Sequence, residues 1–228
     1  MWITAVCVAI VLMLVGMSGA RCEDAETWGK HSSAGKDAVK SGNLTEAESY
    51  LRSALQVAEQ FPSGDTRLPA TLRDLADVYI AEGKDEQAEP LLARAVDIYK
   101  RFMGPENPDV AESSNRLAEL YLLEGKYTQA EPLLKSSLAI LEKNLGSQDA
   151  YIARACHNLG FAYMKQGKFA EAEPYFQRAL TLRQKALGPD DPEVGKTMLS
   201  YAELLRSTNR ASEADQMEKK AKAILAMP

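Results

Sequence analysis

Residues able to do chemistry are few in this chain, and their spacing is poor for it. The two histidines, His31 and His157, belong to no HExxH or other metal-ligand pattern. No GxSxG elbow, phosphate-binding glycine loop or GxGxxG stretch occurs. Cys156 and His157 are adjacent, but adjacent residues of a helix do not face each other, so they are badly placed to act as nucleophile and base. Asp190-Asp191 is better read as a helix cap than as a carboxylate pair. The sequon at Asn43 lies at a turn and matters only in a glycosylating host. The three cysteines, Cys7, Cys22 and Cys156, form no CxxC and are too few for a disulfide framework. Cys156 reads as a small buried apolar residue, with a bridge to Cys22 left open in an oxidising compartment. No catalytic residue, metal, cofactor or small-molecule substrate is therefore expected, and the chain reads as a non-enzyme.

Composition narrows the class further. The 228 residues are 46% hydrophobic but only 7% aromatic, so small and aliphatic side chains must do the packing. The formal charge is 27 − 32 = −5, with no run of five like charges, which argues against a nucleic-acid partner. Residues 1–20 carry no charged side chain and end in Ser18-Gly19-Ala20, a small-x-small pattern followed by the polar RCEDAE. They read as a cleaved signal peptide, and the mature chain as periplasmic or secreted. Two alternatives stand: retention as a membrane anchor, since no Lys or Arg precedes the apolar run, and lipidation at Cys22, which Arg21 suits poorly.

What must position any functional residue is a repeat. GKDEQAEPLL begins at Gly83, GKYTQAEPLL at Gly125 and GKFAEAEPYF at Gly167, 42 residues apart each time. Aligned on a turn residue and an alanine five on, five copies appear: Gly42/Ala47, Gly83/Ala88, Gly125/Ala130, Gly167/Ala172 and Asn209/Ala214. A fixed period of this size marks a solenoid. Each unit reads as two helices. Leu117, Ala118 and Tyr121 share a helical face, and Asn107-Pro108 and Asp191-Pro192 read as helix starts, with Asp149 in the same role between them. Gly125 is expected to turn the chain. The second helix is expected to restart at Thr128 with a Thr128-x-x-Glu131 capping box, as at Thr45-x-x-Glu48 and, more weakly, Ser212-x-x-Asp215. Pro90, Pro132 and Pro174 fall near the end of the first turn. The five units are expected at about 28–61, 69–102, 111–144, 153–186 and 195–228, after a short linker at 21–27. In the last unit Glu218 and Lys222 stand where the fourth has Phe176 and Leu180, so that helix reads as a solvent-facing cap; docking through Met217, Ile224 and Leu225 is the alternative.

The fourth unit, CHNLGFAYMKQGKFAEAEPYFQRAL, resembles a tetratricopeptide repeat, whose pattern W-x2-L-G-x2-Y then A-x3-F is met by Leu159, Gly160, Tyr163, Ala172 and Phe176. Cys156 takes the tryptophan position, and Gln184 stands near the usual closing proline. The longer 42-residue period resembles the repeats of kinesin light chains and of many bacterial tetratricopeptide proteins. The resemblance implies an all-α, right-handed solenoid of helix-turn-helix units. It also implies a protein-protein interaction scaffold that binds a peptide or protein partner on the concave face lined by first helices. A membrane-anchored assembly factor for an envelope complex is the alternative.

Helical spacing from the packed Leu and Tyr gives that face as Arg73, Asp77 and Ile80 in the second unit and Asn115, Glu119 and Leu122 in the third. It continues as His157, Phe161 and Met164 in the fourth, flanked by Arg154, Asn158 and Lys165, and as Lys196, Leu199, Glu203 and Arg206 in the fifth. Phe161 and Met164 are expected to be exposed apolar residues beside groups able to grip peptide backbone or carboxylate. Asn115 and Asn158 each match one member of the paired asparagines of kinesin-type repeats, with Arg116 and His157 in the other places. Asp77 and Glu119 stand where a two-carboxylate clamp would need asparagine, which disfavours an acidic chain terminus there.

Overall fold

Small residues at fixed register and a left-handed residue closing each first helix determine the architecture. The computed structural model describes residues 23–145 and 150–226. Among these there are ten helices and no strand. Helix α1 covers residues 23–40 and already includes 23–27, assigned above to a linker. It is followed by α2 (Leu44–Ala58), α3 (Arg67–Ala81), α4 (Asp85–Met103), α5 (Pro108–Leu123) and α6 (Tyr127–Leu145). The last four are α7 (Ala150–Lys165), α8 (Phe169–Leu187), α9 (Pro192–Ser207) and α10 (Ala211–Leu225). No described helix is long and apolar enough to cross a membrane. Residues 1–20, Cys22 and Asp149 lie outside the described residues, so the leader, the Cys22 bridge and the Asp149 cap have no counterpart here.

The repeat is visible hydrogen bond by hydrogen bond. At Gly167, φ is +75°, and the Lys168 amide reaches back to the Tyr163 carbonyl at 2.9 Å while the Gly167 amide meets Met164 at 3.0 Å. This pair of bonds closes the helix and needs a left-handed residue, for which glycine carries no Cβ penalty. The same two bonds recur at Gly42, Gly83 and Gly125, and at Asn209, which takes φ +62°. Asn107 and Asp191 cap α5 and α9 as expected, accepting from Asp109 N at 2.7 Å and Glu193 N at 2.8 Å.

The capping boxes at Thr45 and Thr128 do not form. Helix α6 begins at Tyr127, so Thr128 is already helical, and α2 is capped by Asn43, which exchanges bonds with Glu46. Glu48 and Glu131 serve instead as inter-repeat pins. Lys84 Nζ is 2.7 Å from Glu48 Oε2 in the first unit, and Lys168 Nζ 2.9 Å from Glu131 Oε2 in the second. Arg210 and Glu173 repeat the arrangement at 2.6 Å. At these three turns the residue after the left-handed position thus ties its repeat to the second helix of the one before. Pro90, Pro132 and Pro174 each sit sixth in their helix, in its second turn, on the exposed side.

The chain divides into two compact units, Met1–Phe102 and Met103–Pro228. In the first, Gly35 lets α1 close on α2: a Cβ there would lie 2.7 Å from Leu51 Cγ. Trp28 Nε1 donates to Thr71 Oγ1 at 2.9 Å, fastening α1 to α3, and Arg67 stacks 3.5 Å above the Phe61 ring. Its core is Leu51, Leu72, Leu75, Leu92 and a series of alanines, all at most 2% exposed. In the second unit the first helices α5, α7 and α9 contact one another in that order. Ala118, Ala130, Leu134, Leu159, Ala172 and Phe176 are fully buried between the helix pairs. Tyr79 and Tyr163 are buried, while Tyr121 at the same register is half-buried. Helix α10 buries only Ala214, Ala221 and Ile224; Ile224 packs with Val194 and Met198, and Met217 leans on the same cluster. Its other side is charged, with Glu218 paired to Arg206 and to Lys222. Of the apolar residues of the docking alternative, Ile224 and Met217 are engaged in this packing and Leu225 is exposed.

Candidate peptide-binding groove

Along α5, α7 and α9 of the second unit runs a groove of about 490 Å³. Helix α5 supplies Glu119, Leu122 and Leu123, α7 supplies His157, Asn158 and Phe161, and α9 supplies Ser200, with Tyr127 at one end. Side chains from three successive repeats meet there because a 42-residue period returns the same helical face each time.

Glu119 is the hub. Its Oε1 accepts from Asn115 Nδ2 at 2.9 Å and Asn158 Nδ2 at 2.8 Å, and lies 3.5 Å from Arg154 Nε. Arg116 approaches Oε2 at 3.4 Å. Asn115 is 1% and Asn158 8% exposed, so the two amides brace the carboxylate; Asn158 also forms part of the groove wall. Asn115 is thereby withdrawn from the surface expected for it. Met164 is a plain correction: at 4% exposure it belongs to the core, because it faces inward one turn before the Gly167 break. Phe161 is half-buried, edge-on to Tyr127 at 6.4 Å between centroids, with Lys165 Nζ 5.1 Å above its ring.

Other predicted residues are turned to neighbours. Lys165 pairs with Glu203 at 2.6 Å and Lys196 with Glu193 at 2.7 Å. Arg154 lies over Tyr151, 5.4 Å from its ring centre, away from the groove lining. Arg73 and Asp77 are half-buried on α3 in the first unit. Burial pushes His157 down to about 4, and the charge of Arg183 acts the same way. The imidazole is therefore neutral near pH 7, edge-on to Phe176 at 5.7 Å, and its Nδ1 makes no hydrogen bond among the described residues. Cys156 is fully buried, and burial raises its thiol to about 11, which leaves it a poor nucleophile.

Leu123 and Tyr127 were missed from the sequence. Leu123 is 69% exposed, the most open large apolar side chain among the described residues. The signal was present: the equivalent positions 81, 165 and 207 hold Ala, Lys and Ser, so a leucine there is not needed for packing. Phe161 is similar, since positions 77, 119 and 203 hold Asp, Glu and Glu.

Comparison with known proteins gives the same architecture. BtubC (BKLC) of P. vanneervenii is 26% identical, with a TM-score of 0.74 over 87% of this chain and 79% of that one. A Podosopora anserina chain of nearly identical TPR-like repeats, described as a kinesin light chain, is 25% identical at TM-score 0.72, over 86% of this chain and 93% of that one. The Rap conjugation regulator of plasmid pLS20, solved with a Phr* peptide, shares the fold at 18% identity and TM-score 0.67, over 91% of this chain and 55% of its own. The chain matches no curated protein at a significant level. The tetratricopeptide repeat model matches residues 26–101, 67–143 and 151–226. With Schellman-type turns at one register and helix pairs joined across repeats, these matches establish that the chain belongs to the tetratricopeptide repeat family.

Proposed function

We propose that this protein is a non-catalytic scaffold that holds an extended segment of a partner protein along α5, α7 and α9. The observation that carries the reading is the groove itself, which leaves Leu123 and part of Phe161 uncovered beside the polar groups of Asn158, His157 and Ser200. Apolar side chains of a peptide fill such a groove while its backbone meets the polar rim. The fold supports the reading, since a structurally similar regulator was solved with a peptide bound. Arg73, Asp77, Asn115 and Met164 contribute through the scaffold rather than by touching the segment. Export of the chain is part of the same proposal and follows from residues 1–20. A mature chain starting at Arg21, found by mass spectrometry outside the cytoplasm, supports it; an intact Met1 in the membrane fraction supports the anchored alternative.

The experiment is selection of a random peptide display library on the full chain. Peptides sharing an apolar anchor, and losing at least about tenfold in affinity on Leu123→Ser or Phe161→Ser, support the groove. Peptides that bind both variants as tightly as the parent refute it. Neither side chain is fully buried, so circular dichroism checks that both variants keep their helicity.

A further inference from the structure

A second cavity, of about 200 Å³, opens in the same unit where the first turn of α7, the last turn of α8 and the first turn of α9 converge. Its lining is Ala150, Tyr151 and Arg154, then Arg183, Ala186 and Leu187, then Glu193. It shares no residue with the peptide groove.

Arg183 is the unusual member. Its register position is held by Tyr99, Leu141 and Leu225 in the other 42-residue repeats, so the solenoid needs no charge there. The side chain is only 8% exposed. Nη1 donates to the Glu193 carbonyl at 2.9 Å and to Thr197 Oγ1 at 2.6 Å, and Nη2 lies 3.1 Å from Glu193 Oε2. These bonds fix the guanidinium at the cavity wall. The cavity also has Arg154, whose Nε makes no hydrogen bond among the described residues and is 3.5 Å from a Glu119 oxygen that already accepts from two amides. Glu193 is divided as well, its Oε1 being 2.7 Å from Lys196 Nζ.

The cavity is therefore lined by two guanidinium groups against one shared carboxylate. Guanidinium forks match carboxylate geometry, and partial burial strengthens such a bond. The rest of the lining is apolar: Tyr151 is 43% and Leu187 47% exposed, and Ala186 precedes Leu187 on α8. A carboxylate and an apolar side chain are thus wanted within one residue's breadth.

We infer that this cavity is a second binding site, taking a carboxylate that has an apolar group directly beside it, as in an aliphatic residue at a chain terminus. It goes beyond the groove reading and stands without it.

The test follows the Nε–Hε resonances of Arg154 and Arg183 in the full-length ¹⁵N-labelled chain. The probes are N-acetyl-leucine, N-acetyl-leucinamide and the peptide acetyl-Gly-Gly-Leu. The free acids are expected to shift both resonances saturably, and the amide to bind at least about tenfold more weakly. Tighter binding of the peptide than of acetyl-leucine assigns the source to a chain terminus, and the reverse assigns it to a small free acid. Leu187→Glu, which puts a carboxylate at the rim on an exposed side chain, should weaken both acids at least about tenfold, whereas Phe161→Ser should leave them unchanged. Equal binding of acid and amide, absence of any shift by the acids, or indifference to Leu187→Glu overturns the inference.

Discussion

Replacing Glu119 by leucine removes the carboxylate that joins α5 to α7. Two amide donors lose their acceptor: Asn115 Nδ2 at 2.9 Å, on a side chain 1% exposed, and Asn158 Nδ2 at 2.8 Å, on one 8% exposed. A buried donor left unpaired costs about 1–3 kcal/mol, so the two together come to about 2–4 kcal/mol after some relaxation. The ion pairs to Arg116 and Arg154 add little, since all three side chains are between a quarter and a third exposed. Glu119→Gln keeps an acceptor at the same place and should cost about 1 kcal/mol or less. Urea unfolding followed by circular dichroism measures both, and for a chain of this length 3 kcal/mol corresponds to roughly 6–12 °C in Tm. Adding Asn158→Leu to Glu119→Leu should recover part of the loss, because the second orphan disappears with its partner. A leucine variant no less stable than the glutamine variant, or no recovery in the double variant, would refute the claim that the amides brace this carboxylate.

Three further outcomes are expected. Lys135, then Lys168, hold Glu131 down to about 2 against burial, which acts the other way. A depressed carboxylate stabilises above its ordinary value and loses that contribution as pH falls from about 4.5 to about 2; thermal melts of Glu131→Gln should therefore differ from the parent at neutral pH and converge across that window. A Cβ on Gly160 would lie 3.3 Å from the Ala172 carbonyl and from the Phe176 ring, which is fully buried. Gly160→Val should cost about 3 kcal/mol and Gly160→Ala about 1 kcal/mol net of its helix-propensity gain, both read by urea titration. Glu218→Phe with Lys222→Leu restores the apolar residues the fourth repeat carries, and size-exclusion chromatography should show the uncapped end self-associating; a strictly unchanged elution would contradict the capping role.

The turns were legible because they depend on one residue each. Gly42, Gly83, Gly125 and Gly167 announce a left-handed closure, and the register extends it to Asn209, whose φ is +62°. The helix starts after those turns were less legible: Thr128 and Glu131 have capping-box chemistry, but the glutamate finds a stronger partner in Lys168 of the next repeat, a contact no local pattern contains. The same limit separates Phe161 from Met164. Both lie off the packed leucine stripe, yet only Met164 is covered, and Phe161 stays half-buried. Arg183 could have been found by reading down the repeat column, where it interrupts Tyr99, Leu141 and Leu225. It lies on a second helix, outside the face that the first helices define.

Placing a photo-reactive benzoylphenylalanine at position 123 tests the central claim most directly, read with a library-selected apolar peptide and a matched control position, Gln129, exposed on the second helix α6. The account predicts that irradiation joins the peptide at position 123 and not at 129, and that unlabelled peptide competes the product away. Equal cross-linking at the two positions, or none at 123 while the peptide is bound, would contradict it.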